Sequence, residues 1–248
     1  MSTFPARLWR GAMEFKAVGL AFAVFLVVRI LVFQPFTVPS DSMEPALRIG
    51  DYMIVSKSSY GWSRHAFPFS LAPFHGRILG RPARRGDVIV FKLPRDGRTD
   101  YVKRLIGLPG DRIQLAHGIV VVNGAPLRQG VLGPTADPDQ PSRRVIAIRE
   151  IMPDGSSHLI LRDAEEAAGE TTGVFRVPEG QYFFLGDNRD DSQDSRWPRA
   201  VGVGFVPAEN LEGKVQFVAL AWRGGASILN PWTWVSRFDA SRMFHKVG

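Results

Sequence analysis

The feature that most constrains this chain is an apolar run near the N-terminus, from Ala17 to Phe33. Its 17 residues contain a single charge, Arg29, close to the far end. A helix that spans a bilayer needs about 20 apolar residues, with about 17 as the lower limit. A long cationic side chain near one end of such a helix can reach the polar interface. The run therefore predicts a membrane anchor that precedes a separate folded domain.

Two other interpretations of this run remain open. A cleavable signal peptide has an apolar core of about 7–15 residues, followed by small residues at the cleavage site. Here the run is longer, and the sequence Gln-Pro-Phe-Thr-Val follows it at residues 34–38. This favours an anchor that is retained. The other alternative is a buried helix of a soluble protein.

The charges that flank the run predict its orientation. Basic residues precede it at Arg7, Arg10 and Lys16. After Arg29, the next Lys or Arg is Arg48. Because basic residues are retained on the cytoplasmic side, the chain is expected to cross the membrane once. The expected organisation is a cytoplasmic N-terminal segment, a transmembrane anchor and an extracytoplasmic catalytic β domain, over residues 1–16, 17–36 and 37–248.

The remainder of the chain is expected to be mostly β, an antiparallel sheet with irregular loops. The 25 Gly and 18 Pro favour short strands and turns over long helices. Asn123-Gly124 predicts a hairpin turn. Strands are predicted where short β-rich runs are bounded by turn residues: Asp51–Ser56, Asp87–Phe91, Tyr101–Ile106, Arg112–Val122, Val145–Glu150, His158–Leu161, Gly173–Val177, Gln181–Leu185 and Gly213–Leu220.

Some segments fall outside this pattern. Residues 61–86 are rich in Pro, Gly, Phe and Arg, residues 123–144 are similar and more polar, and both are predicted to be loop insertions. Arg162–Glu170 is the one place where a short helix is expected. Phe217–Val235 carries three Trp residues, but its Gly and Pro make it too broken for a second span.

Composition excludes several classes of function. The net charge is +7, but the basic residues are scattered and form no recognised nucleic-acid motif. A solvated surface with some attraction to anionic lipid accounts for this charge. The chain has no Cys, so it has no disulfide, no thiolate nucleophile and no Cys-ligated metal.

The chemistry of the sequence centres on a serine and a lysine. Motifs of other enzymes are missing, including H-E-x-x-H, G-x-S-x-G and S-x-x-K, and the five His are isolated. Ser42 lies in the Pro-bracketed segment Pro39–Pro45, which begins six residues after the apolar run. A serine hydroxyl needs a base to become a nucleophile. Lys103 is the candidate base; in a strand it shares a face with Tyr101 and Leu105. A surface lysine is the plain alternative.

Three segments carry the strongest signal in the chain. They read PSDSMEPALRIGDYMIVSK at 39–57, GDVIVFKLP at 86–94 with DYVKRLIGLPGD at 100–111, and GDNRDDSQDSR at 186–196. In this order and spacing they resemble type I signal peptidase, the bacterial membrane-bound Ser/Lys endopeptidase that removes signal peptides. The resemblance extends from the apolar run to about Asn210.

The resemblance implies a role for individual residues. Ser42 matches the nucleophile and Lys103 the general base. Ser40 matches the residue whose hydroxyl completes the oxyanion hole with the Ser42 N–H, and Ser192 the serine that orients the lysine. Charged residues that hold the site together are matched by Arg104, Asp194 and Arg196. Positions that line pockets for small substrate side chains are matched by Val38, Leu47, Met53 and Val102.

The resemblance also implies the reaction and its setting. The substrates are preproteins, which are cut after small residues in the pattern A-x-A, and no metal or cofactor is needed. An extended peptide can pair with an exposed strand edge while alternate side chains enter pockets. The location is the bacterial inner membrane, with the catalytic domain on the periplasmic side. The expected partners are signal peptides and membrane phospholipids, and nucleic acid is not among them.

Asp41 departs from the family pattern, which commonly has Gly between the two serines. A side chain restricts the backbone, and a carboxylate opposes the oxyanion unless it points away. Asp41 therefore keeps open a catalytically impaired, membrane-anchored relative that only binds peptides. A specialised peptidase for one dedicated substrate and a structural or assembly protein are further alternatives.

Overall fold

The structure, a computed structural model, describes residues 5–67, 70, 72–223 and 232–247. Helix α1 spans Pro5–Leu31 and a short helix, α2, spans Trp232–Ser236. The strands are numbered along the chain as β1 (Phe33–Thr37), β2 (Asp51–Ser56), β3 (Trp62–Ser63), β4 (Arg77–Ile78), β5 (Val88–Lys92), β6 (Asp100–Gly107), β7 (Arg112–Ala116), β8 (Ile119–Val122), β9 (Ala125–Pro126), β10 (Arg128–Ala136), β11 (Arg144–Ile151), β12 (Ser157–Asp163), β13 (Phe175–Arg176), β14 (Gln181–Leu185), β15 (Val206–Pro207), β16 (Leu211–Ala221) and β17 (His245–Lys246).

The main sheet has eight strands in the order β1-β2-β16-β5-β6-β14-β15, with β17 also paired to β16. All the pairings are antiparallel, as the sequence predicts. Strand β16 changes register at several points along its partners. Such bulges bend a strand and increase its twist. This allows β16 to pair with β5, β2 and β17 in turn.

Strand β5 lies at the centre of this sheet and is buried on both faces. Val88 and Val90 pack into one core cluster, whereas Ile89 and Phe91 pack into another. This division follows from the alternation of side chains along a strand. Neighbouring β6 is buried from Val102 onward. A lysine on β6 is therefore held within the core of the sheet.

The C-terminal end of helix α1 is bonded to the segment that follows β2. The Trp62 Nε1 donates to the Leu31 carbonyl oxygen at 2.7 Å, and the Lys57 N–H donates to that of Val32 at 2.9 Å. Strand β1 follows almost at once and pairs with β2. The predicted anchor, residues 17–36, thus includes the first four residues of β1. No helix in the described part of the chain is long and apolar enough to span a membrane.

Most predicted strands are confirmed. Asp51–Ser56 and Gln181–Leu185 have the predicted bounds, and the segment 112–122 folds as the hairpin of β7 and β8. The turn at Asn123-Gly124 is confirmed, since both residues have positive φ and connect β8 to β9. The described residues of the 61–86 insertion are largely irregular, with the short strands β3 and β4 and a short 3-10 helix at Arg64–Ala66.

Two predictions were wrong. Residues 128–136, within the predicted loop 123–144, form β10 at the edge of a second sheet, β10-β11-β12. An edge strand tolerates Gly and Pro, and a register shift between Val131 and Gly133 accommodates them. The helix expected at Arg162–Glu170 is absent. Its first two residues continue β12 against β11, because tertiary pairing overrides helix propensity.

Candidate active site

Ser42 and Lys103, which are 61 residues apart in the sequence, meet in a direct hydrogen bond. Ser42 lies in a turn after β1, and Lys103 lies on β6. The Lys103 Nζ donates to the Ser42 Oγ, and both residues are buried. Ser42 and Lys103 also line a cavity of about 740 Å³, together with Ser40 and Ser192. The arrangement places a hydroxyl nucleophile against an amine inside a cleft.

Burial lowers the pKa of Lys103 to about 8. Desolvation disfavours the charged amine, and this effect outweighs the carboxylates of Asp194, Asp187 and Asp41, which act in the opposite direction. The Nζ also lies 5.6 Å from the centroid of the Tyr101 ring. A substantial fraction of the amine is therefore neutral near pH 8 and can accept a proton.

Two hydrogen-bond donors flank the Ser42 hydroxyl. The Ser40 Oγ is 3.2 Å from the Ser42 Oγ. No described residue accepts a hydrogen bond from the Ser42 N–H. The Ser42 carbonyl oxygen, by contrast, accepts from the Asn188 N–H at 3.2 Å. The backbone is thus held through the Ser42 carbonyl oxygen, while the N–H of the same residue has no acceptor among the described residues.

Ser192 lies in the cleft but does not make the expected hydrogen bond to Lys103. Its Oγ is buried and has no hydrogen-bond partner among the described residues, so it is not hydrogen-bonded to the Lys103 amine. It packs closely against Gly186, where a Cβ would collide with both the Ser192 side chain and the Ser42 carbonyl. The glycine allows these two serines to approach each other.

The charged residues of the predicted site form two ion pairs. Arg104 binds Asp187 through two bonds of 2.7 Å, and Asp194 binds Arg196 at 2.9 Å. The structure does not pair Arg104 with Asp194. Burial would raise the pKa of the Asp194 carboxyl, but the Arg196 guanidinium holds it below its ordinary value. Sequence reasoning missed Asp187, although it lies in the same GDNRDDSQDSR segment.

A second buried network lies behind Asp187. Glu150 binds Arg189, and the His158 Nε2 lies 3.4 Å from a Glu150 oxygen and 4.0 Å from an Asp187 oxygen. Burial, followed by the nearby Arg104 charge, lowers the pKa of His158. This histidine is therefore neutral at physiological pH. It is outside the cleft lining and contacts neither Ser42 nor Lys103.

The residues predicted to line substrate pockets share one core cluster. Val38, Leu47, Met53 and Val102 are all buried in it, together with Met43. Of these, Val102 lies on the wall of the cleft. The cleft is also bordered by Tyr101 and Trp197. The cluster therefore gives the region next to Ser42 an apolar base.

Asp41 lies between Ser40 and Ser42 and lines the same cleft. Its Oδ2 accepts a hydrogen bond from the Gln140 Nε2 at 3.2 Å. It is not among the described non-glycine residues with positive φ. The backbone at this position therefore does not require a glycine, and the carboxylate is bound by a side chain of the connection between β10 and β11.

A metal site is not evident in the described ranges, where no group of three or more His, Cys, Asp or Glu could hold a metal ion.

Comparison with known proteins gives one consistent family. Residues 12–222 match the family model described as signal peptidase, peptidase S26. The chain is 38% identical to the signal peptidase I of Rickettsia typhi over 94% of this chain and 93% of the relative. It is 37% identical to that of Rickettsia prowazekii, with the same coverage. A solved signal peptidase I from Enterococcus faecalis is 28% identical, with a TM-score of 0.32, and covers 54% of this chain and 97% of its own.

Proposed function

The chain belongs to the signal peptidase family, peptidase S26, and from that premise we propose that Ser42 and Lys103 are the nucleophile and general base that cleave signal peptides. As a member of this family the protein is a hydrolase. The observation that carries the assignment of the dyad is the hydrogen bond between the buried Lys103 amine and the Ser42 hydroxyl. By contrast, a lysine on a solvated surface has a pKa of about 10.4 and would be protonated at neutral pH.

The reaction proceeds as an acyl transfer. Neutral Lys103 takes the proton of the Ser42 hydroxyl as its oxygen attacks the carbonyl carbon of the scissile peptide bond. The tetrahedral intermediate collapses, the C–N bond breaks, and the lysinium gives its proton to the departing amine. A water molecule, deprotonated in turn by Lys103, then hydrolyses the Ser42 ester and restores the dyad.

The negative charge of the tetrahedral intermediate needs donors in the cleft. The open Ser42 N–H and the Ser40 hydroxyl are the groups that we assign to this role. Removal of one such donor typically costs about 3–4 kcal/mol of transition-state stabilisation. The Asp41 carboxylate, whose charge would oppose that of the oxyanion, accepts a hydrogen bond from Gln140.

The substrate is the signal peptide of a preprotein, bound in an extended form. Main-chain bonds to a strand edge would align the peptide, and small side chains would fit the apolar base beside Ser42. The pockets are assigned to Val38, Leu47, Met53 and Val102, which form one buried cluster. This favours Ala at the first and third positions before the cut.

The setting is a bacterial inner membrane, with α1 as the anchor, phospholipids around it and the β domain on the periplasmic side. Apolar side chains on the C-terminal half of α1 are largely exposed: Val18, Leu20, Phe22, Val24, Phe25, Val27 and Val28. Exposed apolar side chains at this density are costly in water and are accommodated by lipid. The proposed organisation is that expected from the sequence, with a cytoplasmic segment of residues 1–16, an anchor at 17–36 and the β domain at 37–248, except that residues 33–36 belong to β1 of the main sheet.

Protease added to intact spheroplasts is expected to digest the domain that follows Phe33. The basic residues before the apolar run place the N-terminus in the cytoplasm, and hence the β domain outside. The measurement is an immunoblot against an epitope tag at the C-terminus, with a cytoplasmic protein as the control for intact membranes. Full protection of the tag would contradict this topology.

Cleavage of a preprotein is expected to accelerate with pH and to be half-maximal near pH 8, the pKa that burial gives Lys103. Below that pH the amine is protonated in the folded protein and cannot accept the serine proton. The measurement is kcat on a purified preprotein in detergent, with the product N-terminus sequenced. The matched Ser42→Ala protein should be inactive at every pH. A midpoint near pH 6.5 would indicate a histidine base instead.

A further inference from the structure

We propose that Glu44 is a positioning residue, which attaches the connection between β10 and β11 to the turn that carries Ser42. This connection, residues 137–143, is called the clamp loop below. The inference rests on the proposed role of Ser42 and goes beyond it, because neither Glu44 nor the clamp loop belongs to the dyad or the oxyanion region.

The clamp loop binds the nucleophile turn on both sides of Ser42. Before Ser42, the Gln140 side chain donates to the Asp41 carboxylate at 3.2 Å. After it, the Ile49 N–H donates to the Asp139 Oδ2 at 3.0 Å. Two attachments that bracket a nucleophile limit how far its turn can move.

The clamp loop is itself held in place. The Asp137 Oδ1 accepts from the N–H groups of Asp139 and Gln140, at 3.1 and 2.9 Å. The Arg143 guanidinium binds Asp137 at 3.2 Å and Asp191, which lines the catalytic cleft, at 3.1 Å. The loop therefore connects the nucleophile turn to the opposite wall of the cleft.

Glu44 lies at the centre of these attachments. It is fully buried, and its side chain is within hydrogen-bonding range of both Asp139 and Asp137. No donor among the described residues reaches either Glu44 oxygen. Ionised carboxylates only accept hydrogen bonds. The contact is therefore a hydrogen bond only when a proton is present, which makes the Glu44 hydroxyl the donor.

The charges around Glu44 explain where this proton resides. Burial, followed by the adjacent Asp139 and Asp137, raises the pKa of Glu44 to about 10. Among the residues that the structure describes, Arg143 is the cation bound to this acidic group, through its contact with Asp137. Glu44 is therefore neutral throughout the pH range in which Lys103 becomes a base.

Loss of this bond should displace the nucleophile without removing it. Misplacement of a catalytic group by about 1 Å can cost about 10²-fold in rate, even when the mutation is remote from the chemistry. With a leucine at position 44, the carboxylates of Asp139 and Asp137 lose their shared donor. The turn then loses its central attachment, and kcat should fall more than KM rises.

The test compares Glu44→Gln with Glu44→Leu in the full-length, detergent-solubilised protein. Gln supplies an N–H donor without any need for a proton, so its kcat on a signal-peptide substrate should stay within about threefold of wild type. Glu44→Leu should lower kcat about tenfold or more, with KM changed less than about threefold. A purely structural role would not separate kcat from KM in the folded protein.

A second readout is the pH dependence of stability. Between about pH 4.5 and about pH 10 the folded protein holds a proton on Glu44 that the unfolded chain does not. The free energy of unfolding therefore falls as pH rises through this range. Glu44→Gln removes this linkage, so its Tm should fall less than that of wild type between about pH 6 and about pH 9.

Several outcomes would overturn the inference. One is a Glu44→Leu protein with the kcat of wild type, and another is a Glu44→Gln protein as impaired as Glu44→Leu. If Glu44→Leu does not fold, Asp139→Ala and Asp139→Asn replace the pair, because Asn retains an acceptor for the Ile49 N–H and Ala does not. Equal kcat in these two variants would then reject the clamp. Residual cleavage by Ser42→Ala would instead reject the proposed dyad itself.

Discussion

Replacement of Lys103 by Arg is expected to abolish preprotein cleavage, although the substitution keeps a long cationic side chain. The guanidinium stays protonated at any usable pH. Ser42 would then face a permanent cation that cannot accept its proton. Because a nucleophile and its base act as a unit, the loss should be about 10³-fold or more. Ser42→Ala should be equally inactive.

The matched control is Lys214→Arg, the same change in a partly exposed lysine that is paired with Asp87 on the main sheet. Cleavage by this variant should remain within about twofold of wild type. Activity would be measured on a purified preprotein at about pH 9, where wild-type Lys103 is mostly neutral. Substantial activity of Lys103→Arg would show that Lys103 is not the base.

Asp187→Ala is expected to be the most destabilising change near the site, at about 3–5 kcal/mol of unfolding free energy. Asp187 and its partner Arg104 are almost completely inaccessible to solvent, and the two bonds between them are 2.7 Å long. Removal of the carboxylate leaves a buried guanidinium without its counter-ion. Arg104 directly follows Lys103, so the base should also be displaced.

The control for this prediction is Arg223→Ala, which removes an exposed arginine that is paired with Asp239. The Arg223 side chain is 77% exposed, so its loss should cost about 0–1 kcal/mol. Urea unfolding followed by tryptophan fluorescence gives both values. An Asp187→Ala protein as stable as Arg223→Ala would mean that the buried pair contributes nothing beyond an exposed one.

The fold was predictable where the signal is local. Strands such as Asp51–Ser56 combine β-branched and aromatic residues with turn residues at each end, and these signals lie within a few positions of one another. Strand β10 gave no such signal, because its Gly and Pro are acceptable only at the edge of a sheet. The helix expected at Arg162–Glu170 does not form, because pairing with β11 outweighs the local helix propensity. The first two residues of this segment belong to β12 and pair with β11.

The residues of the candidate site were predictable from the sequence where they belong to a recognised motif. Ser42 and Lys103 stand out by resemblance, and the order of the main sheet then brings their segments together. The partner of Arg104 was not predictable, because Asp187 and Asp194 lie in one segment and only the folded backbone decides between them. The role of Glu44 depends on residues about 90 positions away, in a segment that the sequence suggested was a loop.

The junction between α1 and the main sheet has a consequence for which cleavage sites are accepted. Trp62 holds the last turn of the helix, Lys57 holds Val32, and β1 begins at the next residue. If α1 is the membrane anchor, as proposed, little chain is left between the anchor and the sheet that carries Lys103. Ser42, the proposed nucleophile, should then stand at a fixed height above the lipid surface. A preprotein would then be selected by the length of chain between its own apolar segment and its small residues, as well as by the residues themselves.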